Sequence, residues 1–234
     1  MSWTDKKSLE NIKHLRDDFF VPTFIETGTF KGVNARVQSY NFQWVFTCEV
    51  VKEYYLHAVN NRLKNINNVM LVLMSSPKFL TFFENFFRRT IIYYLDAHFY
   101  DPKLPIEKRF VIQEELKTLK DNYNCIIIIH DFDNGELGCI EYDNIKMGMN
   151  VVGDLLFDVN PNFHFYTNSK SDCDIVTLDD VANHVIPGVE NDEDIIDNIN
   201  YAWTKPEKTY RGMLYCTPKK LELSKYNLRR FQYD

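Results

Sequence analysis

Short apolar runs alternate with longer stretches of mixed polarity over residues 21–137 of the chain. The apolar runs are Phe24–Ile25 (behind Pro22), Trp44–Cys48, Asn68–Leu73, Ile91–Leu95 and Cys125–Ile129. Phe24–Ile25 is predicted to be the end of a short buried strand, and each of the other runs has the length and composition of one. Because strand and helix patterns alternate with short connections, the sequence predicts an α/β fold. We expect a Rossmann-like, doubly wound, mostly parallel sheet with helices on both faces.

The stretches between the strands carry apolar residues at helical spacing. The predicted helices are Asp5–Phe20, Val33–Tyr40, Val51–Leu63, a helix opened by Ser76 and Pro77 that runs through Arg89, and one around Phe110–Lys120. Ser76 is the predicted N-cap of the helix that holds Pro77 in its first turn. Phe99–Arg109 contains two prolines and is predicted to be a loop.

The alternation of strands and helices is lost after Gly138. Short strands or irregular pieces are expected at Asn150–Phe157, Phe163–Thr167 and Asp174–Leu178, an exposed loop or short helix at Val189–Asn200, and a late strand at Arg211–Cys216. No repeat and no linker sets this part of the chain apart. We therefore expect one domain over residues 1–234, with a leading helix at 1–20, a core at 21–137 and a further segment at 138–234.

Composition narrows the class of protein. The chain of 234 residues is 45% hydrophobic, which is enough for a sizeable core. A net charge of −6 argues against a surface that follows phosphates, so we expect no nucleic-acid partner. The five cysteines form no Cys-x-x-Cys pair, which is typical of a reduced, intracellular protein without structural zinc. With no hydrophobic signal region at Met1–Lys7 and no long apolar run, we expect a soluble, cytoplasmic protein without membrane insertion.

The stretch Thr23–Gly32 holds the first candidate binding site. Gly28 and Gly32 flank a turn between a strand and a helix, where backbone N–H groups point outward. The pattern is Glu-x-Gly-x-x-x-Gly, with Glu26 where a dinucleotide fingerprint has glycine, and a carboxylate there would repel a pyrophosphate. An acid at this place suits a cofactor whose nearest end is cationic, as the ammonium and sulfonium groups of S-adenosylmethionine are.

Further polar residues follow the predicted strands, and ligands of open parallel sheets bind at the carboxyl ends of the strands. These residues are Glu26, Glu49, Ser75, Asp96 with His98, and His130 with Asp131. Glu49 ends the second strand, where a nucleoside-binding sheet places a carboxylate that accepts both ribose hydroxyl protons. The alternative for Glu49 is a solvated residue at the start of a helix. In the first interpretation Val50 packs beside the adenine and Ser75 lies near the adenine edge.

Four segments together resemble a known family of enzymes. They are Ile-Glu-Thr-Gly-Thr-Phe-Lys-Gly at 25–32, Cys48-Glu49, Tyr-Leu-Asp-Ala-His at 94–98 and Ile-His-Asp at 129–131. The combination resembles class I S-adenosylmethionine-dependent methyltransferases, in particular the FkbM-type and macrocin-O-methyltransferase-like enzymes that methylate sugar hydroxyls. The resemblance covers about residues 20–135. The residues predicted to bind S-adenosylmethionine are Glu26, Thr27, Gly28, Thr29, Gly32, Glu49, Val50, Ser75 and Asp96.

The same resemblance implies a divalent cation. The macrocin-like enzymes hold it with acids after the fourth and fifth strands, which puts the ligands on Asp96, His130 and Asp131; the relatives' Asp-Asp is His130-Asp131 here. Two carboxylates suit Mg²⁺, and an imidazole among the ligands suits Mn²⁺. Asp96, His98 and Asp131 are the predicted catalytic residues, and His98 or His130 is a candidate general base because a neutral imidazole is available near pH 7. Alternatively, both histidines cap loop backbone groups and Asp96 only binds the cofactor's amino group.

The sequence thus predicts an S-adenosylmethionine-dependent O-methyltransferase that acts on a sugar or glycan hydroxyl. Residues 21–137 are expected to bind the cofactor and 138–234 to face the acceptor. An NAD-dependent oxidoreductase on a similar sheet is an alternative that Glu26 opposes. A non-catalytic cofactor-binding module is another, which His130 in place of an acid favours. The sequence is compatible with a homo-oligomer. Glu114 and Glu115 are expected to lie on a solvated helix face.

Overall fold

A computed structural model shows the fold and describes residues 5–86, 89–98, 103, 105, 109–183 and 193–232. The strands of this part of the chain are β1 (Thr23–Thr27), β2 (Trp44–Glu49), β3 (Val69–Leu73), β4 (Ile92–Leu95), β5 (Ile126–His130), β6 (Glu141–Tyr142), β7 (Ile145–Lys146), β8 (His164–Thr167), β9 (Met213–Thr217) and β10 (Arg229–Arg230). Its helices are α1 (Lys6–Asp18), α2 (Val33–Ser39), α3 (Lys52–His57), α4 (Ser76–Leu80), α5 (Ile112–Thr118), α6 (Met149–Val159), α7 (Leu178–Ala182), α8 (Glu193–Thr204) and α9 (Pro206–Thr209).

Eight of the described strands form one sheet in the order β10-β8-β9-β5-β4-β1-β2-β3. Strands β1 to β5 are parallel to one another. Strand β9 runs antiparallel to β5, β8 runs antiparallel to β9, and β10 runs antiparallel to β8. From β1 the chain adds β2 and β3 on one side and then crosses to add β4 and β5 on the other. The strand order therefore reverses between β1 and β4, and this is the switch point at which such sheets bind ligands.

Apolar cores cover both faces of the sheet. Alternate side chains of β1, β4 and β5 enter one core with α4, α5 and α6, and the intervening ones enter the other core with α1 and α2. In β5, for example, Ile127 and Ile129 belong to the first core and Ile126 and Ile128 to the second. The predicted doubly wound, mostly parallel α/β fold is confirmed.

The predicted strands and helices of residues 5–137 are present with some changes at helix ends. The helix after β3 is α-helical only over Ser76–Leu80 and continues as a 3-10 helix, Thr81–Phe86. Its N-cap is Ser75 rather than the predicted Ser76, because Ser75 is the last residue with extended backbone angles. Helix α3 continues as a π-helix, Ala58–Arg62. Most of the predicted loop Phe99–Arg109 lies outside the described residues.

Beyond residue 138 the structure corrects one prediction and decides others. Asn150–Phe157 is neither a strand nor irregular but the middle of α6. Met149, Val152, Leu156 and Val159 are its buried residues, at helical spacing. Asp174–Leu178 leads into α7, which Thr177 caps, and the predicted helix option at Val189–Asn200 agrees with α8, although 189–192 lie outside the described residues. The predicted strands at Phe163–Thr167 and Arg211–Cys216 are confirmed as β8 and β9.

In the part of the chain that the structure describes, no helix has both the length and the apolar character needed to cross a membrane.

Candidate functional site

A crevice of about 540 Å³ opens at the carboxyl ends of the parallel strands, beside the switch point. The residues that line it are Gly28, Phe30, Cys48, Glu49, Val50, Val51, Tyr54, Met74, Ser75, Ser76, Asp96, Ala97, His98, Val111, His130 and Asp131. The structure thus brings together most of the predicted site residues from five strand ends. A larger hollow of about 960 Å³ lies at the opposite, amino ends of β1, β2 and β3. Arg89 is the one charged side chain among the residues that line that hollow, so we place the chemistry in the crevice.

Gly28 lies close to the backbone at the end of β4. Its φ is +79°, and a Cβ atom at this position would lie 2.7 Å from the carbonyl oxygen of Asp96 and 2.8 Å from the Cα of Ala97. Only glycine fits this combination of a left-handed backbone and a close neighbour. The Gly28 N–H also donates to the Cys48 carbonyl at 3.1 Å. The turn after β1 is therefore held against the ends of both neighbouring strands.

The carboxylate of Glu49 is fixed by backbone N–H groups. It accepts hydrogen bonds from Phe30 N at 2.7 Å, Val50 N at 2.9 Å and Val51 N at 2.8 Å. A carboxylate has about four lone-pair positions, so these three bonds leave one, on Oε2. Glu49 is thus held rigidly in the crevice wall with room for one further donor, fewer than the two ribose hydroxyls of the sequence prediction.

Two aromatic rings stand beside Glu49. The ring centroids of Phe30 and Tyr54 lie 4.5 Å apart in an edge-to-face arrangement, and both side chains are exposed to solvent. Phe30 has a left-handed backbone with φ of 51°, which turns its N–H toward Glu49. These rings offer an apolar surface next to the carboxylate, of the kind on which a flat heterocycle packs.

Glu26 lies behind the crevice rather than among its lining residues. Its carboxylate is buried and accepts hydrogen bonds from Asn34 Nδ2 at 2.7 Å and Thr47 Oγ1 at 2.8 Å. Burial raises the pKa of Glu26 to about 8, although the bonds from Asn34 and Thr47 oppose the shift. The structure therefore does not bring Glu26 into direct contact with a cationic ligand in the crevice. Its position supports the turn through α2 and β2.

Three other predicted cofactor residues also shape the turn without lining the crevice. The hydroxyl oxygen of Thr27 accepts a bond from Asp96 N at 3.2 Å, and the Thr29 hydroxyl is bonded to that of Thr47. A Cβ on Gly32 would lie 3.0 Å from the Cβ of Ala58. By contrast, the predicted Gly28, Glu49, Val50, Ser75 and Asp96 do line the crevice.

Two aspartates and two histidines form a compact cluster at the ends of β4 and β5. One potential ligand atom of each of Asp96, His98, His130 and Asp131 lies within 4.8 Å of the others. Asp96 Oδ1 is 2.9 Å from His130 Nδ1 and 3.2 Å from His98 Nε2. Asp131 Oδ2 is 3.2 Å from His98 Nε2, and Asp131 Oδ1 is 3.3 Å from His130 Nδ1. One nitrogen or oxygen atom of each of the four side chains therefore lies within the same small volume.

The charges of the cluster hold protons on both imidazoles. Burial lowers the pKa of His98, but the hydrogen bonds and charges of Asp131 and Asp96 outweigh it and raise that pKa to about 10. The pKa of His130 is also raised, because the same two carboxylates outweigh its burial. Burial raises the pKa values of both aspartates, but the charges and hydrogen bonds of His130 and His98 outweigh it. The pKa of Asp96 is lowered to about 2, and that of Asp131 lies below its usual range. The expectation of a neutral imidazole near pH 7 is therefore wrong for the metal-free cluster.

The cluster has the donor set of a transition-metal site. The three predicted ligands, Asp96, His130 and Asp131, offer one imidazole nitrogen and two carboxylates, a set that suits Mn²⁺ or a similar ion better than Mg²⁺, which prefers oxygen ligands alone. Neighbouring ligand atoms around metal–ligand bonds of roughly 2.0–2.2 Å stand about 3 Å apart. The four contacts within the cluster, between 2.9 and 3.3 Å, fit that spacing. The residues present thus fit a divalent cation.

Arg211, which precedes β9, is a member of the site that the sequence did not indicate. Its Nε donates to Oδ1 of Asp131, and the backbone of Asp131 is left-handed with φ of 62°. The contact joins residues 80 positions apart in the chain, so no local pattern could have revealed it. Arg211 fixes the orientation of the Asp131 carboxylate from the side of the late strands.

Glu115 is a buried acid behind the crevice, not a solvated one as predicted; the prediction holds for the exposed Glu114. Its side chain is 0% exposed, and neither carboxylate oxygen has a hydrogen-bond partner among the described residues. Burial raises the pKa of Glu115 to about 7, while the nearby hydroxyls of Ser76 and Thr27 oppose the shift. Glu115 therefore loses its proton near neutral pH only at a cost in stability.

Substitution of Glu115 by glutamine is expected to remove this pH-dependent cost. An acid whose pKa is higher in the folded state binds more protons folded than unfolded, so its contribution to stability falls as pH rises. For a pKa of 4.5 unfolded and about 7 folded, the wild type should lose about 3 kcal/mol relative to Glu115→Gln as the pH rises from 4.5 to 8. Urea unfolding of both proteins across this range measures the difference.

Glu114→Gln is the matched control, because Glu114 is exposed on the same helix and pairs with Lys117 at 2.6 Å. That variant should follow the wild type at every pH. Parallel stability curves for Glu115→Gln and the wild type would show that Glu115 is ionised in the folded protein at no cost.

Comparison with known proteins finds no matching family model and no matching curated protein. Among solved structures, the methyltransferase domain of the bacterial protein CtHen1-CN is similar at 11% identity and a TM-score of 0.47, over 90% of this chain and 97% of that one. An O-methyltransferase from Bacillus cereus in complex with S-adenosylhomocysteine matches at 13% identity and a TM-score of 0.47, over 90% and 80% of the two chains. A SAM-dependent methyltransferase from Anabaena variabilis matches at 11% and 0.45, over 90% and 84%. Similarities of this size do not establish an activity for this chain.

Proposed function

We propose that this chain is an S-adenosylmethionine-dependent methyltransferase that transfers the methyl group to a hydroxyl oxygen, with a sugar or glycan as acceptor. The observation that supports it best is the arrangement of the crevice. Glu49, fixed by three N–H groups, stands on one side, the Asp–His cluster stands on the other, and the Gly28 turn lies between them. A cationic nucleoside needs a hydroxyl acceptor, an apolar wall and a negative charge in this order.

Each part of S-adenosylmethionine has a counterpart in the crevice. The free lone pair of Glu49 accepts one ribose hydroxyl, and Val50 with Phe30 and Tyr54 offers apolar surface to the adenine. The Asp96 carboxylate at the end of β4 is the proposed acceptor for the ammonium group, with its charge partly offset by the protonated His98 and His130 beside it. The volume of about 540 Å³ lies within the range of small-molecule sites.

The reaction is a displacement at the methyl carbon. A bond forms between the acceptor oxygen and the methyl carbon while the bond from carbon to sulfur breaks, which leaves S-adenosylhomocysteine as a neutral thioether. The protein's part is to align the two reactants, exclude water and accept the hydroxyl proton. His98 is the proposed proton acceptor because its side chain is partly exposed at the crevice; its contacts with both aspartates keep Nε2 protonated, so this role requires that their charge be offset.

We assign a divalent cation, with Mn²⁺ as the best fit, to Asp96, His130 and Asp131. When bound, such a cation would lower the pKa of the acceptor hydroxyl and offset the carboxylate charge that otherwise keeps His98 protonated. Arg211 would hold Asp131 in place through its contact with Oδ1. The choice of a sugar hydroxyl is supported by the motif resemblance alone.

Isothermal titration calorimetry with S-adenosylhomocysteine and with NAD⁺ tests the proposal. We expect one S-adenosylhomocysteine site per chain and no heat from NAD⁺, because the carboxylates of Glu49 and Asp96 on the two sides of the Gly28 turn oppose a pyrophosphate. Methyl transfer from labelled S-adenosylmethionine to a panel of sugars, with Mn²⁺ present, tests whether the acceptor is a sugar hydroxyl. NAD⁺ binding without S-adenosylhomocysteine binding would contradict the proposal. Cofactor binding without transfer to any hydroxyl would favour a non-catalytic module.

A further inference from the structure

The two edges of the central sheet are built differently. Strands β10 and β3 are the outer strands, and neither has a second neighbour strand among the described residues. Strand β10 consists of two exposed arginines, and short, charged strands are a common protection of sheet edges. Strand β3 reads Val-Met-Leu-Val-Leu, with neither a charge nor a proline. Over its described residues the β3 edge therefore has neither the charges nor the proline that commonly prevent a free strand from pairing.

Alternate residues of β3 direct their backbone groups away from the sheet. Val45 N donates to the Asn68 carbonyl, and Met74 N donates to the Glu49 carbonyl, both at 2.9 Å. Because backbone groups alternate between the two sides of a strand, the even-numbered residues from 68 to 74 face β2. The N–H and C=O groups of Val69, Leu71 and Leu73 consequently point outward, in the hydrogen-bonding direction of a further strand.

The side chains along this edge are apolar and accessible. Met70 is 56% exposed and Leu73 is 42% exposed. Met70 also lines the hollow of about 960 Å³ at the amino ends of the strands, together with the exposed side chains of Phe20 and Trp44. The edge thus continues into a wider apolar surface, and such surfaces of soluble proteins mark interaction sites.

We propose that β3 pairs with β3 of a second copy of this chain, antiparallel and about a two-fold axis at Leu71. In this register Leu71 lies opposite Leu71, and Val69 lies opposite Leu73 of the second copy. All outward N–H and C=O groups of both strands are then paired, with three residues of each copy contributing one donor and one acceptor. This gives six hydrogen bonds between the copies. An isologous contact of this kind closes into a dimer.

The sequence of β3 supports a second copy as the occupant. A two-fold axis requires the strand to be complementary to itself, and the outward-facing residues are placed symmetrically about Leu71. Met70 comes opposite Val72 of the second copy, in the pairs where side chains stand closest. Every cross-strand pair in this register is apolar, so no charge opposes a like charge.

Sedimentation velocity across a wide concentration range tests the proposal with the wild type, Met70→Lys and Leu178→Lys. The wild type should approach twice its monomer mass of 27.8 kDa as its concentration rises. Met70→Lys places one lysine of each copy on the same face of the paired β3 strands. Repulsion between the two charges should raise the dimer dissociation constant by about tenfold or more. Leu178 is similarly exposed but lies on α7, so Leu178→Lys should dimerise as the wild type does.

Amide hydrogen exchange by NMR distinguishes this dimer from any other. The amides of Met70 and Val72 bond to β2 and should exchange slowly in monomer and dimer alike, whereas those of Val69, Leu71 and Leu73 should be protected only in the dimer. Circular dichroism checks that Met70→Lys is folded, as its exposure leads us to expect. A wild type that is monomeric at every concentration would overturn the proposal. So would a dimer that Met70→Lys leaves intact, or one in which the outward amides exchange rapidly.

Discussion

Replacement of Asp96 by alanine is expected to reduce methyl transfer by about 10³-fold at saturating S-adenosylmethionine. The Asp96 carboxylate contacts His98 and His130 and is one of the two acids in the proposed metal set. Its loss leaves both imidazoles facing Asp131 alone, so the cation affinity and the alignment of His98 should fall together. Turnover, Mn²⁺ binding followed by electron paramagnetic resonance, and S-adenosylhomocysteine binding by calorimetry give the three readouts.

Asp133→Ala is the matched control for this experiment. Asp133 follows the cluster by two residues, but its carboxylate accepts the Gly135 N–H at 3.1 Å and is not among the crevice-lining residues. That variant should retain the activity and Mn²⁺ affinity of the wild type. Full activity of Asp96→Ala, with normal cofactor binding, would remove Asp96 from the mechanism.

Substitution of Glu49 by alanine is expected to weaken S-adenosylhomocysteine binding by about 100-fold, which corresponds to about 3 kcal/mol. The variant loses the proposed bond to a ribose hydroxyl. It also leaves the N–H groups of Phe30, Val50 and Val51 without their acceptor, so the wall beside the adenine is no longer fixed. Calorimetry measures the affinity, and circular dichroism measures whether the fold is retained.

Glu49→Gln separates the two effects. The amide keeps the size of the side chain and one acceptor oxygen, so part of the backbone support should remain and the loss of affinity should be smaller. Glu53→Ala, at an exposed glutamate in the first turn of α3, should bind as the wild type does. An unchanged affinity of Glu49→Ala would contradict the ribose role.

The apolar runs predict the sheet well because their length and spacing depend on local physics. Five short runs separated by helical patterns leave few arrangements other than a parallel sheet covered on both faces. The prediction for Asn150–Phe157 was wrong although a local signal is present. The apolar content of this stretch suits a strand, but the buried residues of α6 repeat every three or four positions, which is helical spacing.

The candidate site is predictable at the level of strand ends and less so at the level of side-chain direction. Glu26 and Thr27 both end β1, yet alternation sends Glu26 toward Asn34 of α2 and Thr27 toward Asp96. The buried position of Glu115 had a signal, since it lies on the stripe of Ile112, Leu116 and Leu119 at helical spacing. Arg211 had none, because tertiary folding alone brings it to Asp131.

The close approach of Gly28 to the backbone of Asp96 and Ala97 means that the Glu49 side and the Asp96 side of the crevice are separated by backbone alone at this point. A displacement of one side would therefore reach the other through backbone atoms and not through a flexible side chain. If the crevice binds both proposed ligands, any change that the ion makes to the affinity for the nucleoside must by reciprocity equal the change that the nucleoside makes to the affinity for the ion.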